Sequence, residues 1–106
     1  IPRGLALELL FTGDLIDMPT ARQLGLVNHV VPPAALCDFT EQLATRIADN
    51  APLSVQRMKA VAFKSIGLPT AAALRLNVGP NPYTSQDRIE GNRAFVEKRK
   101  PRFQGR

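Results

Sequence analysis

Proline and glycine interrupt this chain so often that no single helix can run through more than a part of it. The 106 residues include nine prolines and seven glycines. A proline inside a helix removes an amide donor and clashes with the preceding turn, and a glycine can take the left-handed conformation that ends a helix. Between these interruptions, apolar residues recur mostly at helical spacing. The sequence therefore predicts a mainly α fold built from short helices.

The first two helices carry signals at their ends. Pro2 suits the first position of a helix, and the apolar face that follows it stops at Gly13. Asp17 is placed to cap a second helix, which we expect over residues 18–24. Gly25 is then free to adopt the left-handed conformation that closes this helix.

The segment that follows has a different composition. Residues 26–31 include three valines and lie between Gly25 and the pair Pro32-Pro33. A short run of this kind, rich in β-branched residues and bounded by turn residues, is typical of a strand. We therefore expect one short strand near residues 26–31.

Apolar stripes at helical spacing predict two further helices, over residues 36–48 and 52–66, each with one buried face. The sequence Gly79-Pro80-Asn81-Pro82 should end any helix after Leu76 or Asn77, because proline cannot continue a helix. We therefore expect a loop at residues 79–82.

The last helix has a clear beginning and one unusual residue. Thr84 or Ser85 is expected to cap it, and Asp87 lies in its first turn, where the helix dipole favours a negative charge. Gly91 costs a helix about 1 kcal/mol relative to alanine. Its presence suggests that another backbone approaches the helix closely there.

The net charge is concentrated at one end of the chain. Fourteen lysines and arginines exceed nine acidic residues by five, and five of the bases lie in residues 98–106, which we call the tail. Acids and bases are therefore balanced in the rest of the chain. A cationic segment beside the aromatic Phe95 suits a phosphorylated ligand of the nucleotide or coenzyme type.

Composition also bears on the compartment. The single cysteine, Cys37, excludes a disulfide within the chain and fits a reducing environment. We expect a cytoplasmic protein, or one of the mitochondrial matrix if the source is eukaryotic. No apolar run approaches the roughly 18 residues of a membrane-spanning helix, so we expect no membrane span.

Other chemistry finds little support. His29, the only histidine, has no cysteine or carboxylate partner at metal-ligand spacing, so we expect no metal site. Cys37 is expected to be a small packing residue. The turn at residues 12–14 lacks the lysine and the glycine-rich run of a phosphate loop. Ser54 and Ser65 have no base nearby in the sequence that could activate them.

Three blocks of residues resemble a known family. The run E-G-x-x-A-F-x-E-K-R-x-P-x-F-x-G-R over residues 90–106 is similar to the C-terminus of the enoyl-CoA hydratase/isomerase (crotonase) superfamily. Residues 6–13 and 21–32 resemble its A-x-E-L-x-x-T-G … A-x-x-x-G-L-V-N-x-V-V-P pattern. Asn50-Ala51-Pro52, with Lys59 downstream, is a third match in the same order. The resemblance spans almost the whole chain and is specific at the superfamily level.

The resemblance implies a fold and a place within it. The chain would be the C-terminal helical (trimerisation) region of a crotonase-like ββα-spiral fold. Residues 1–33 would form the end of the core, and residues 34–106 the helical assembly region. The family's N-terminal catalytic half would be absent from this chain, so we expect no catalytic residue in it. Glu8 falls on the family's A-x-E-L helix, and we expect it to be a solvated carboxylate.

The resemblance also implies a function. In the family, two backbone amides polarise the thioester carbonyl of an acyl-CoA while carboxylates act as general acid and base. Hydration of a trans-2-enoyl-CoA is the expected reaction, with acyl-CoA as the substrate and no separate cofactor. Phe95 and Lys98 match the residues that approach coenzyme A in a neighbouring subunit of hydratase relatives. A homo-oligomer, either a trimer or a dimer of trimers, is expected.

Alternatives remain open. Isomerisation, decarboxylation or dehalogenation would use the same scaffold, and a non-catalytic assembly module would show the same helical faces. An RNA-binding module would use the basic tail. Because only Phe103 is interleaved with the charges of the tail, the RNA hypothesis rests on charge alone.

Overall fold

The computed structural model describes residues 1–106 and contains helices but no strand. The six α-helices are α1 (Arg3–Thr12), α2 (Met18–Gln23), α3 (Leu36–Ala48), α4 (Pro52–Lys64), α5 (Thr70–Ala73) and α6 (Gln86–Val96). Short 3₁₀ turns at Pro33–Ala35 and Pro82–Thr84 precede α3 and α6. None of these helices combines the length and the hydropathy needed to cross a bilayer. The mainly α prediction is confirmed.

The chain divides into two compact units, Ile1–Thr40 and Glu41–Arg106. In the first unit, the predicted helix ends are confirmed. Gly13 closes α1 with a φ of 71°, and the Asp17 carboxylate accepts a hydrogen bond of 2.8 Å from the Thr20 amide at the start of α2. This bond lowers the pKa of Asp17. Ala21 of α2 is buried.

The predicted strand at residues 26–31 is wrong. The amides of Leu26 and Val27 donate to the carbonyl of Ala21, so the start of the segment completes the turn that ends α2. The rest of it has no strand beside it in this chain. A strand exists only through its hydrogen bonds to a neighbouring strand, and composition alone cannot supply that neighbour.

The second unit contains α4, α5 and α6. The loop at residues 79–82 is confirmed, but α5 ends at Ala73, earlier than the expected break at Leu76 or Asn77. The Arg57 guanidinium of α4 donates to the carbonyls of Val78 and Pro80 at 3.4 Å. Gly79 takes a φ of 74°, and a Cβ built there would lie 3.2 Å from Cβ of Ala60. The loop therefore lies directly against α4.

The start of α6 also agrees with the prediction. Of the two expected caps, Ser85 is the N-cap, and its hydroxyl accepts a hydrogen bond of 3.1 Å from the amide of Arg88. Gly91 differs in detail from the expectation. Its close neighbour is the ring of Phe103, 3.5 Å from the position of a Cβ, and not another backbone.

The apolar faces of the helices are mostly exposed within this chain. The buried apolar residues are Ala21 and Ala94, and no large side chain is fully buried. The expectation that α3 and α4 each bury one face is therefore wrong for this chain alone, since neither helix contains a buried residue. Helical spacing of apolar residues indicates a face that favours burial, but it does not identify the surface that covers this face.

Candidate functional site

The tail folds back along α6 and is fixed at its far end by Asp87. The two oxygens of this carboxylate accept hydrogen bonds from the backbone amides of Gln104, at 2.6 Å, and Gly105, at 2.8 Å. The amide of Asp87 donates in turn to the carbonyl of Arg106 at 3.1 Å. Asp87 is only 3% exposed. A carboxylate so well buried needs such partners, so the end of the tail is held at the first turn of α6.

A second contact joins the middle of the tail to α6. Arg99 binds Glu90 through two guanidinium nitrogens, at 2.6 and 3.0 Å, and its Nε donates to Glu97 at 2.6 Å. Arg93 donates to the other oxygen of Glu97 at 2.8 Å, and the backbone amide of Arg102 donates to Glu90 at 2.8 Å. Arg99 therefore contacts two carboxylates, that of Glu90 within α6 and that of Glu97 at the C-terminal end of this helix. Its contact with Glu90 has the bidentate geometry that arginine favours.

These contacts change the acidity of the carboxylates. The Arg99 guanidinium, with a smaller contribution from the Arg102 amide, lowers the pKa of Glu90 from an ordinary 4.5 to about 2. Arg93, and then Arg99, lower the pKa of Glu97. The pKa of Arg99 is raised by Glu90 and Glu97. Glu90, Arg93, Glu97 and Arg99, which we call the charged cluster, therefore stay ionised at neutral pH.

Between α6 and the tail the chain reverses at Lys98. The amide of Lys98 donates to the carbonyl of Phe95 at 3.3 Å, and the amide of Arg99 donates to the carbonyl of Ala94 at 3.0 Å. These two bonds form a Schellman motif, in which the residue after the C-cap takes a left-handed conformation. Lys98 occupies that position with a φ of 52°.

The two residues expected to approach coenzyme A lie together at this reversal. Phe95 is 84% exposed, and Lys98 is exposed and takes part in no ion pair. Neither residue lines the open groove of about 830 Å³ between α6 and the tail, whose walls are mainly charged residues of these two segments. The candidate site is thus the exposed C-terminal end of α6, which is separate from the groove.

The sequence analysis missed the roles of Glu90, Glu97 and Arg99. All three belong to the E-G-x-x-A-F-x-E-K-R run, and Arg93 precedes Glu97 by the four residues that bring side chains together on a helix. That spacing could have indicated the Arg93–Glu97 pair. The pairing of Arg99 with Glu90 depends on the reversal at Lys98 and has no signal in the linear spacing.

The residues for which the sequence predicts no catalytic or metal-binding role lie outside α6 and the tail. Glu8 is exposed on α1, and the ring of His29 packs edge-on against Phe39 with ring centres 4.9 Å apart. Cys37 was expected to be a packing residue but is exposed on the first turn of α3. The hydroxyl of Ser65 donates to the carbonyl of Ala62.

The lowered pKa of Glu90 leads to a prediction about the pH dependence of stability. Because the pKa of Glu90 is lowered in the folded chain, its contribution to stability is present above about pH 4.5 and is lost as the pH falls towards about 2. The ¹³C shift of the Glu90 carboxyl should therefore titrate near 2. In an Arg99→Gln variant the midpoint should move towards 4.5, and an unchanged midpoint would contradict the pairing.

Comparison with known proteins agrees with the resemblance noted in the sequence. A model of the enoyl-CoA hydratase/isomerase family matches residues 1–106. Enoyl-CoA hydratase EchA19 of Mycobacterium tuberculosis is 38% identical over 100% of the chain and 41% of its own length. Carnitinyl-CoA dehydratase of Citrobacter koseri is 34% identical over 100% of the chain and 43% of its own length.

A solved structure agrees with these relatives. The crystal structure of an enoyl-CoA hydratase from Mycobacterium tuberculosis H37Rv superposes with a TM-score of 0.88 at 36% identity, covering 100% of this chain and 43% of that one. The chain thus spans about two-fifths of the length of the curated relatives it matches. Because the family model matches the chain from its first residue to its last, the chain belongs to the enoyl-CoA hydratase/isomerase family.

Proposed function

We propose that the chain forms the C-terminal helical part of an enzyme that adds water to trans-2-enoyl-CoA thioesters. In that enzyme it would contribute to subunit assembly and to part of the coenzyme A site. The observation that carries this proposal is the match of the whole chain to one family, together with relatives whose names state hydration or dehydration of CoA thioesters. The order of the three motifs supports the C-terminal placement.

The reaction would need groups that α6 and the tail do not offer. Addition of water places the oxygen on C3 and a proton on C2 of the enoyl group, and it requires a polarised thioester carbonyl and a carboxylate acting as a base. The three carboxylates of α6 and its C-terminal end do not fit that role, because Asp87, Glu90 and Glu97 already accept hydrogen bonds from the tail or from arginines. We therefore assign α6 and the tail a role in binding and not in proton transfer.

Phe95 and Lys98 suit a coenzyme A site chemically. The Lys98 ammonium can meet a phosphate as a point charge, and the exposed ring of Phe95 offers a flat apolar surface to the nucleotide or pantetheine. Both residues are accessible, and Lys98 has no internal partner that would compete with a ligand. Acyl-CoA would be the substrate, with no separate cofactor.

Exposed apolar side chains support the assembly role. Ile89, Phe95 and Val96 of α6, and Met58 and Phe63 of α4, are each more than half exposed. Apolar surfaces of this kind favour association with another part of the enzyme or with a neighbouring subunit. A homo-oligomer, a trimer or a dimer of trimers, is the arrangement that we propose.

Hydration is preferred to the other hypotheses for specific reasons. The names of the matched relatives state hydration and dehydration, which favours a lyase over an isomerase. RNA binding through the tail is weakened by the cluster, because Glu90 and Glu97 neutralise Arg99. The tail is therefore less cationic than its composition indicates.

The reaction can be tested with crotonyl-CoA. We expect a longer protein that contains this chain to hydrate crotonyl-CoA, and the 106-residue chain alone to show no turnover. Loss of the absorbance of the conjugated thioester measures the rate. Turnover by homogeneous 106-residue material would contradict the assignment of proton transfer to groups outside this chain.

The proposed role of Lys98 can be tested in the active enzyme. Lys98→Ala should weaken binding of an acyl-CoA about 5- to 30-fold, the scale of one charge-assisted contact to phosphate. A short pantetheine thioester lacks the nucleotide phosphates and should be affected much less. The change should appear mainly in KM and should shrink with added salt. An equal effect on both substrates would refute a phosphate contact.

The assembly role predicts that the chain self-associates when it is alone. Its exposed apolar faces would otherwise remain in water, so the apparent mass should rise with concentration. Light scattering over a dilution series measures this mass. A monomer that persists at all concentrations and unfolds cooperatively would show that these faces need no partner.

A further inference from the structure

The backbone at Lys98 is unusual for the residue that occupies it. Lys98 is the only non-glycine residue of the chain with a positive φ, 52°. The left-handed conformation is disfavoured for residues with a Cβ, because the Cβ approaches the following carbonyl oxygen. Glycine is the usual residue at this position of a Schellman motif, and the chain uses glycine at its five other positive φ angles.

A reversal of the chain alone does not account for a lysine there. Glycine would form the same turn without the steric penalty and would direct the tail to Asp87 equally well. The Lys98 side chain makes no ion pair within the chain. Strain of this kind persists where the surrounding structure fixes it, and it is concentrated at functional sites. The combination of a left-handed backbone and an unpaired ammonium favours a use of the Lys98 side chain outside the chain.

Contacts on both sides of Lys98 hold it in this conformation. Its own amide and that of Arg99 are bonded to α6, and the Arg99 side chain is fixed on Glu90 and Glu97. The Arg99 and Glu90 side chains are 37% and 23% exposed, so water only partly surrounds their contact. Glu97 immediately precedes Lys98 and Arg99 immediately follows it, and the two are joined at 2.6 Å.

We propose that Arg99 is a positioning residue for Lys98: by joining Glu97 to Glu90 across the turn, it holds the Lys98 backbone in the left-handed conformation in which its ammonium meets a phosphate of coenzyme A. This inference rests on the proposed role of Lys98. Arginine is required because its planar group serves two carboxylates at once, which the single ammonium of lysine cannot do in the same geometry. Arg99 itself stays on Glu90 and does not bind the coenzyme.

Substitution of Glu90 provides the sharpest test, because two explanations predict opposite changes in the affinity for coenzyme A. If the cluster acted on coenzyme A only through its charge, Glu90→Gln would remove a negative charge and strengthen binding of the anionic ligand. If Arg99 positions Lys98, Glu90→Gln loosens Arg99 and weakens binding. We expect the dissociation constant of coenzyme A, measured by calorimetry on the active enzyme, to rise about threefold.

Further variants separate positioning from direct contact. Arg99→Lys keeps the charge and should also weaken binding about threefold, but should have no further effect when combined with Lys98→Ala. Alanine is the appropriate partner because it keeps a Cβ at position 98. The matched control is Arg93→Lys, which changes an exposed arginine bound to Glu97 alone and should leave the constant unchanged.

Hydrogen exchange reports the turn directly. The Arg99 amide donates to Ala94, so its exchange should accelerate in Arg99→Lys and Glu90→Gln and stay slow in Arg93→Lys. Unchanged exchange at other amides of α6 shows that the variants remain folded. If either Arg99→Lys or Glu90→Gln does not fold, the other variant carries the comparison.

Each outcome decides between the proposals. Tighter binding by Glu90→Gln, or an additive effect of Arg99→Lys on Lys98→Ala, overturns the positioning role and leaves the proposed function standing. Full-strength binding by Lys98→Ala overturns the coenzyme role of Lys98, and the positioning role fails with it. Weaker binding by both Glu90→Gln and Arg99→Lys, lost in the Lys98→Ala background, supports both.

Discussion

The carboxylate of Asp87 is the contact on which the end of this chain depends. It is the most buried charged group of the molecule, and its partners are backbone amides of the tail. A buried carboxylate without donors would be strongly destabilising. The tail therefore stabilises the buried carboxylate of α6, and this carboxylate holds the tail in place. Ser85 caps the first turn of α6, and Asp87 holds the end of the tail against that turn.

Local signals in the sequence predicted much of the fold. Helix ends at Gly13, Asp17 and Ser85 follow from backbone and side-chain chemistry that acts within a few residues, and these predictions are confirmed. The strand at residues 26–31 is wrong because a strand needs a partner, which composition does not reveal. The prediction that α3 buries one face is wrong for a related reason. Burial requires a second surface that covers the face, and a sequence pattern describes only the face itself.

In the candidate site, too, local features were evident from the sequence and contacts between distant residues were not. The charge of the tail and the position of Phe95 and Lys98 were evident from the sequence and from its resemblance to the family. Their coenzyme role remains a proposal. The charged cluster was not evident, because Glu90 and Arg99 are nine residues apart and meet only after the chain reverses. Consequently, a tail that looks uniformly basic in the sequence is a mixed surface in the folded chain.

The way in which the tail is bound makes its length matter more than its composition. Asp87 and Glu90 lie about one helical turn apart, and they accept hydrogen bonds from the amides of residues 102, 104 and 105. These donors belong to the backbone, so the side chains at 102 and 104 can vary without loss of the bonds, whereas Gly105 takes a φ of 75° that favours glycine. Pro101 has no amide to offer and lies just before the first donor. One residue more or fewer between 102 and 104 would take one set of amides out of register with its carboxylate. Such a segment can tolerate substitution while resisting insertion and deletion.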